Sequence, residues 1–229
     1  VITSRGCPYD CPYCFNSLYR DMYKGQKWLR YRSPENVIQE CLELKEDYPL
    51  SLIFFQDDEF LLNPKLEIFL RLYRKRIGIP FHIQLRVERA TEDRIKLLKE
   101  AGCYSVTFAI ESGDIFIRTF LLKRNMTDKQ IINGASLLHK YGIKFRTENM
   151  LGLPGETLEQ MMKTVSLNKK VNPTIGWSSL FQPYPNLPLS LYALKHEYWD
   201  GNMNMKESFF ETSVLKLDRK EEIENLQKL

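Results

Sequence analysis

Cys7-Pro8-Tyr9-Asp10-Cys11-Pro12-Tyr13-Cys14 places three thiols within eight residues in a C-x3-C-x2-C spacing, directly after Val1-Ile2-Thr3-Ser4-Arg5-Gly6. Thiols so close together can serve one small inorganic centre. Pro8 and Pro12 fix φ and carry no amide hydrogen, which keeps the loop out of a helix and leaves the other backbone N–H groups free to point at anionic sulfur. A closed iron-sulfur or structural zinc site wants four protein ligands, whereas this run supplies three, so one metal ion is left open to a ligand from outside. Cys7, Cys11 and Cys14 are the candidate metal ligands. A zinc knuckle short of one ligand is the competing reading, and it would have to recruit Cys41 or His82 from far along the chain.

Outward from this loop the chain alternates apolar runs with amphipathic segments. Ser33-Pro34-Glu35 reads as a helix start, and Val37, Ile38, Cys41, Leu42 and Leu44 follow at helical spacing. Residues 51–56 then read as a buried strand, and a second helix runs from Asn63-Pro64 to about Ile77. The same pattern predicts strands over 81–87, 104–110, 143–150 and 174–181, with helices over 91–101, 127–141 and 156–171 between them. With the opening segment counted, six strands alternate with helices, which implies β-α crossovers and a parallel sheet. Periodicity leaves open whether that sheet curls or lies flat. The repeat breaks after Pro188, and residues 221–229 read as a charged, peripheral helix.

Composition places the chain among ordinary globular α/β proteins. Its 229 residues carry 33 basic against 29 acidic side chains, a balance that does not argue for nucleic acid as a partner. The segment between Tyr19 and Arg32 interleaves basic and aromatic residues and reads as a lid or an inter-domain contact. No apolar run is long enough to span a bilayer, and five cysteines with three in a metal-type spacing suit a reducing compartment, so the expected location is the cytoplasm, without a membrane. Cys41 and Cys103 are expected to be packing residues. The chain opens on Val1, without an initiator methionine, which we read as a sign that it belongs to a longer protein.

Ligands of parallel β/α folds lie at the carboxyl ends of strands. The polar groups of this chain gather there: Asp57-Asp58-Glu59 after the second strand, Arg86 and Glu88 after the third, Glu111-Ser112-Gly113 after the fourth, and Glu148 before Gly152-Leu153-Pro154-Gly155 on the fifth. Two of these groups have a plainer alternative, a solvated acidic turn for Asp57-Asp58-Glu59 and an ordinary salt bridge with Arg86 or Arg146 for Glu111.

The cysteine spacing, with aromatic Tyr13 just before the last thiol, resembles the signature of the radical S-adenosylmethionine (SAM) superfamily. Residues 109–113, Ala-Ile-Glu-Ser-Gly, resemble its Gly-x-Glu-Ser-Gly element; residues 150–157 resemble its Gly-Leu-Pro-Gly-Glu-Thr element; residues 181–186 resemble its Pro-Tyr-Pro ending of strand six, with Asn186 in place of glycine. The resemblance implies an α/β fold, a partial (β/α)6 TIM-like barrel with parallel strands over residues 1–187, and a C-terminal extension over 188–229. It implies a 4Fe-4S cluster on Cys7, Cys11 and Cys14 whose open iron chelates SAM, with reductive cleavage to a 5'-deoxyadenosyl radical. Tyr13, Phe15 and Asn16 would lie beside the adenine and sulfonium. Asp57, Asp58, Glu59, Arg86, Glu111, Ser112, Glu148 and Gly152 would supply the remaining cofactor contacts.

Asp57-Asp58-Glu59 stands where the family usually has Gly-Gly-Glu, and with Phe60 and Asn63 it is similar to the cobalamin-binding, class B methyltransferase-like branch. Which carboxylate meets the SAM ammonium is open at this point. The branch implies a cobalamin-dependent methyltransferase or a related enzyme, with the corrin held by an N-terminal domain outside this chain. The expected partners are a small-molecule or peptide substrate and a reducing protein such as flavodoxin or ferredoxin. The alternatives are a tRNA methylthiotransferase-like radical enzyme, for which no second cluster loop is present, and a non-catalytic iron-sulfur or zinc module.

Overall fold

The computed structural model describes residues 1–202, 204 and 210–228. Five parallel strands form one sheet in chain order: β3 (Ile53–Phe54), β4 (Phe81–Gln84), β5 (Cys103–Glu111), β6 (Lys144–Leu151) and β7 (Ile175–Leu180). The four crossovers between successive parallel strands carry the helices α3 (Leu66–Arg76), α4 (Glu92–Ala101), α5 (Asp128–Lys140) and α6 (Leu158–Val171), and α2 (Pro34–Asp47) precedes β3. The result is a curled half-barrel with helices on its outer side.

Local chemistry sets the helix ends. Ser33 Oγ accepts from the Asn36 N–H with Pro34 in the first turn of α2, and Thr127-Gln130 and Thr157-Gln160 form reciprocal caps at the starts of α5 and α6. The outer face of the sheet is apolar. Phe81, Ile83, Val106, Phe108 and Phe145 pack there against Ile38, Phe69, Leu70, Leu98 and Leu138, all buried, and Cys41 and Cys103 lie in the same core, as expected of packing residues. Because side chains alternate along a strand, the inner face is left to His82, Thr107, Arg146 and Glu148. His82 sits between Ser105 Oγ at 2.7 Å and Thr107 Oγ1 at 3.1 Å and stacks on Phe54, and burial lowers its pKa to about 4, so it is a neutral interior group.

The opening segment departs from a full sixth strand. Val1 donates its amino group to Phe54 O and accepts from Gln56 N–H, which is one parallel bridge at the edge of β3. The chain then leaves the sheet: β1 (Ser4–Arg5) pairs antiparallel with β2 (Arg30–Tyr31), a strand hidden inside the basic, aromatic segment. Helix α1 (Phe15–Met22) fills the space between them in the chain.

The C-terminal helix also departs from expectation. Helix α8 (Lys220–Gln227) is not peripheral, because Ile223 is fully buried against Leu151, Met161 and Leu180, and Gln227 donates to Ser178 O. Leu229, the last residue of the expected span, lies outside the described residues. Helix α7 (Pro188–Lys195) joins this end of the molecule to the cysteine loop through the Leu189 N–H, which donates to Pro12 O.

Candidate active site

Cys7 and Cys14 are half-buried and Cys11 is buried, at the carboxyl-end rim of the sheet. Cys14 caps α1, and its own N–H donates to Cys11 O at 3.1 Å. Burial pushes the Cys7 thiol up to about 11, against the lowering effect of the Tyr9 backbone N–H, while the charges of Asp58, Cys11 and Cys14 raise it further. Cys14 is raised by the same burial and lowered by the backbone N–H of Asn16, whose side-chain amide also donates to the Cys14 sulfur. Among the described residues no three His, Cys, Asp or Glu side chains meet closely enough to hold a single ion. What the loop presents is three separately supported donors within electrostatic reach, and that donor set fits a cluster that gives each thiolate its own iron.

The loop is fastened to the barrel by its two tyrosines. The Arg86 guanidinium lies over the Tyr9 ring at 3.8 Å, and Arg89 Nε donates to the Tyr9 hydroxyl at 2.9 Å. Tyr13 donates to Glu111 Oε1 at 3.0 Å and accepts from Arg124 Nη1 at 3.3 Å, while Arg124 Nη2 reaches Ala109 O at 2.6 Å. Burial raises the pKa of both Tyr13 and Glu111, and the Arg124 charge opposes it. Burial works against the Arg124 charge in turn, and Tyr13 and Glu111 more than offset it, so its pKa is raised. Glu111 takes up a left-handed φ of 64° at a break in the β5–β6 register, a strained backbone that turns its carboxylate toward Tyr13.

The three acidic residues after β3 have separate places. Asp57 is fully buried and accepts from Thr3 N, Thr3 Oγ1 and Ser4 Oγ, tying the segment before the cysteines to the end of β3. Glu59 is also buried; it accepts from Leu61 N and Arg86 N, and burial lifts its pKa to about 7 against those two N–H groups. Asp58 is exposed and is the carboxylate whose charge acts on Cys7 and Cys14.

A cavity of about 330 Å³ opens beside the loop, with Tyr13, Glu111, Glu148 and Trp177 in its wall. Glu148 pairs with Arg146 at 2.6 Å, and Arg146 stacks on Trp177. Phe15 is part-exposed and packs against Tyr184 at 5.2 Å, so α1 and the segment after β7 meet at this mouth. Asn186 adopts a φ of 63°, the left-handed turn expected where glycine is replaced. Arg86 is engaged by Tyr9 and by Glu88 at 2.5 Å. Ser112 Oγ accepts from Asp114 N, and a side chain on Gly152 would meet Leu217 at 2.9 Å and Ile223 at 3.6 Å. The structure thus gathers Cys7, Cys11, Cys14, Tyr13, Asp58, Glu111 and Glu148 on one rim. Arg89 and Arg124 carry no motif, and their roles arise from tertiary contact with the two tyrosines.

The chain is 35% identical over 196 residues to an uncharacterized methyltransferase of Pyrococcus horikoshii, covering 85% of this chain and 41% of that protein. It is 30% identical over 171 residues to cytidylyl-2-hydroxyethylphosphonate methyltransferase of Streptomyces wedmorensis, covering 70% and 31% respectively. It therefore spans less than half the length of these relatives. In fold it resembles the radical SAM methyltransferase TsrM of Kitasatospora setae, solved with cobalamin and a [4Fe-4S] cluster, with a TM-score of 0.74 at 19% identity over 96% of this chain and 44% of that one. The sequence pattern of the Radical SAM superfamily matches residues 1–167, and with the three cysteines on the barrel rim the chain belongs to that superfamily of enzymes.

Proposed function

We propose that Cys7, Cys11 and Cys14 hold a 4Fe-4S cluster and that this domain binds SAM at the cluster's open iron. When bound, the cluster would supply the electron that splits the sulfonium to methionine and a 5'-deoxyadenosyl radical. The observation that carries the reading is the set of three thiols on one loop, within electrostatic reach of one another, whose Tyr13 enters the wall of a cleft with Glu111 and Glu148.

The chain's own residues would bind and orient. Asp58 is the acid placed to meet the SAM ammonium, since Asp57 and Glu59 are consumed by backbone and hydroxyl donors. Tyr13 and Phe15 would flank the nucleoside, with Asn16 beside the sulfur of Cys14. Glu111, whose burial is opposed by the Arg124 charge, and Glu148 would accept from ribose or methionine. The barrel wall would exclude water and hold the carbon radical toward one substrate hydrogen.

We assign the whole protein to the cobalamin-dependent methyltransferases or close relatives, acting on a small molecule or peptide with a corrin held outside this domain. The Asp57-Asp58 pair and the methyltransferase relatives support that branch. Anaerobic reconstitution tests the core reading. About four irons per chain are expected, with an electron-spin signal that changes on adding SAM and 5'-deoxyadenosine formed under dithionite. Replacing Cys7, Cys11 or Cys14 by Ala should abolish iron retention, and Cys41→Ala should not. A tetrahedral zinc, or a cluster indifferent to SAM, overturns the proposal.

A further inference from the structure

Behind the cysteine loop the two-stranded ribbon sets Arg5 directly opposite Arg30. Both are exposed, and like charges across a strand pair repel. Lys24 and Lys27 are exposed on the turn that leads into β2. Among the described residues none of these four cations has a carboxylate within salt-bridge distance, although Arg20 and Lys123 nearby share Asp10. A cavity of about 520 Å³ lies on this face, walled by Tyr19, Tyr23, Lys27, Trp28 and Arg30. An unneutralised cationic patch with aromatic walls is the complement of an acidic protein surface.

The patch is joined to the metal-ligand loop. Trp28 Nε1 donates to Cys7 O at 3.0 Å, and a side chain on Gly6, which has a φ of 88°, would collide with Trp28 O at 2.5 Å. Ribbon and loop therefore touch backbone to backbone, one residue from the ligand. We infer that the Arg5, Lys24, Lys27, Arg30 and Trp28 face is the docking surface for an acidic one-electron carrier protein, which delivers its electron at the Cys7 side of the cluster. The step moves a single electron: the carrier is oxidised, the cluster is reduced, and no bond or proton is exchanged. The inference rests on the cluster reading above, and its test separates the two.

The experiment uses flavodoxin as the acidic probe. Binding of flavodoxin to the apo chain is measured at low and high salt, for wild type and for Lys24→Glu/Lys27→Glu. Flavodoxin should bind the wild type, and the charge-reversed variant should bind at least about tenfold more weakly at low salt, a gap that closes as salt screens the surface. In the reconstituted protein, cluster bleaching by reduced flavodoxin should slow by a similar factor in the variant, and bleaching by dithionite should not change. Absence of flavodoxin binding, equal binding by wild type and variant, or equal slowing with both reductants overturns the docking surface. Failure of dithionite to bleach any cluster in wild type sinks the cluster reading instead.

Discussion

The guanidinium of Arg86 lies 3.8 Å from the centre of the Tyr9 ring, so a residue after β4 and a residue inside the cysteine loop form one stacked unit at the rim of the barrel. Arg86 also pairs with Glu88 at 2.5 Å, and both side chains are nearly buried, with Glu88 Oε2 left without a partner. Arg86→Met removes the cation from a buried pair and should destabilise the domain by about 3 kcal/mol. Adding Glu88→Leu removes the stranded carboxylate and should recover most of that loss. Urea midpoints of the two variants check this; equal destabilisation would show that the pair is not the source of the cost.

Asp57 and Asp58 are neighbours in sequence with separable roles. Asp57→Asn turns an amide toward the Thr3 N–H it now accepts from, and should cost about 2 kcal/mol of stability and lower iron retention after reconstitution. Asp58→Asn touches an exposed side chain, so stability should stay within about 0.5 kcal/mol. SAM affinity measured by titration should fall by about tenfold, the loss of one charged contact. If Asp58→Asn binds SAM normally, the ammonium contact lies elsewhere.

Arg124 is the buried cation that donates to Tyr13, which in turn donates to Glu111, and its charge acts on that carboxylate. Arg124→Met leaves a carboxylate buried without its charge partner and should lower stability by about 3 kcal/mol. Arg124→Met/Glu111→Gln should restore stability while SAM binding stays weak, because a neutral amide oxygen accepts more weakly than a carboxylate. Restored binding in the double variant would make Arg124 purely structural.

Glu156 gives a pH signature away from the cysteines. Its Oε2 accepts from Leu153 N–H and its Oε1 lacks a partner, and burial pushes its pKa from the ordinary 4.5 to about 8 against the N–H groups of Leu153 and Gly152. The folded state then holds a proton that the unfolded state has released, so stability should be full below about pH 4.5, fall as pH rises, and level off above about pH 8. The loss is on the order of a few kcal/mol. Glu156→Gln should flatten that slope, as read by thermal melts across pH; an unchanged slope assigns the pH dependence to another group.

Much of this arrangement could be read from the chain because it depends on short-range pattern. Ser33-Pro34 start α2 and the alternation along residues 103–111 marks β5, so strands and helices fall near where periodicity puts them. The thiol spacing is likewise local. What stayed hidden depends on contacts between distant residues. The engagement of Asp57 by Thr3 and Ser4, 54 and 53 residues away, has no local signal. Arg124 sits in a loop with no motif, and its partner Tyr13 is 111 residues distant. Strand β2 has two residues, too short for any periodicity, and α8 reads as charged surface because Ile223 is its one buried residue.

The ties from Asp57, Arg86, Arg89 and Arg124 hold the cysteine loop through protein groups alone. Because these ties come from the segments that follow β3, β4 and β5, the thiols are referenced to three strands at once, and a shift of any one strand is passed on to all of them.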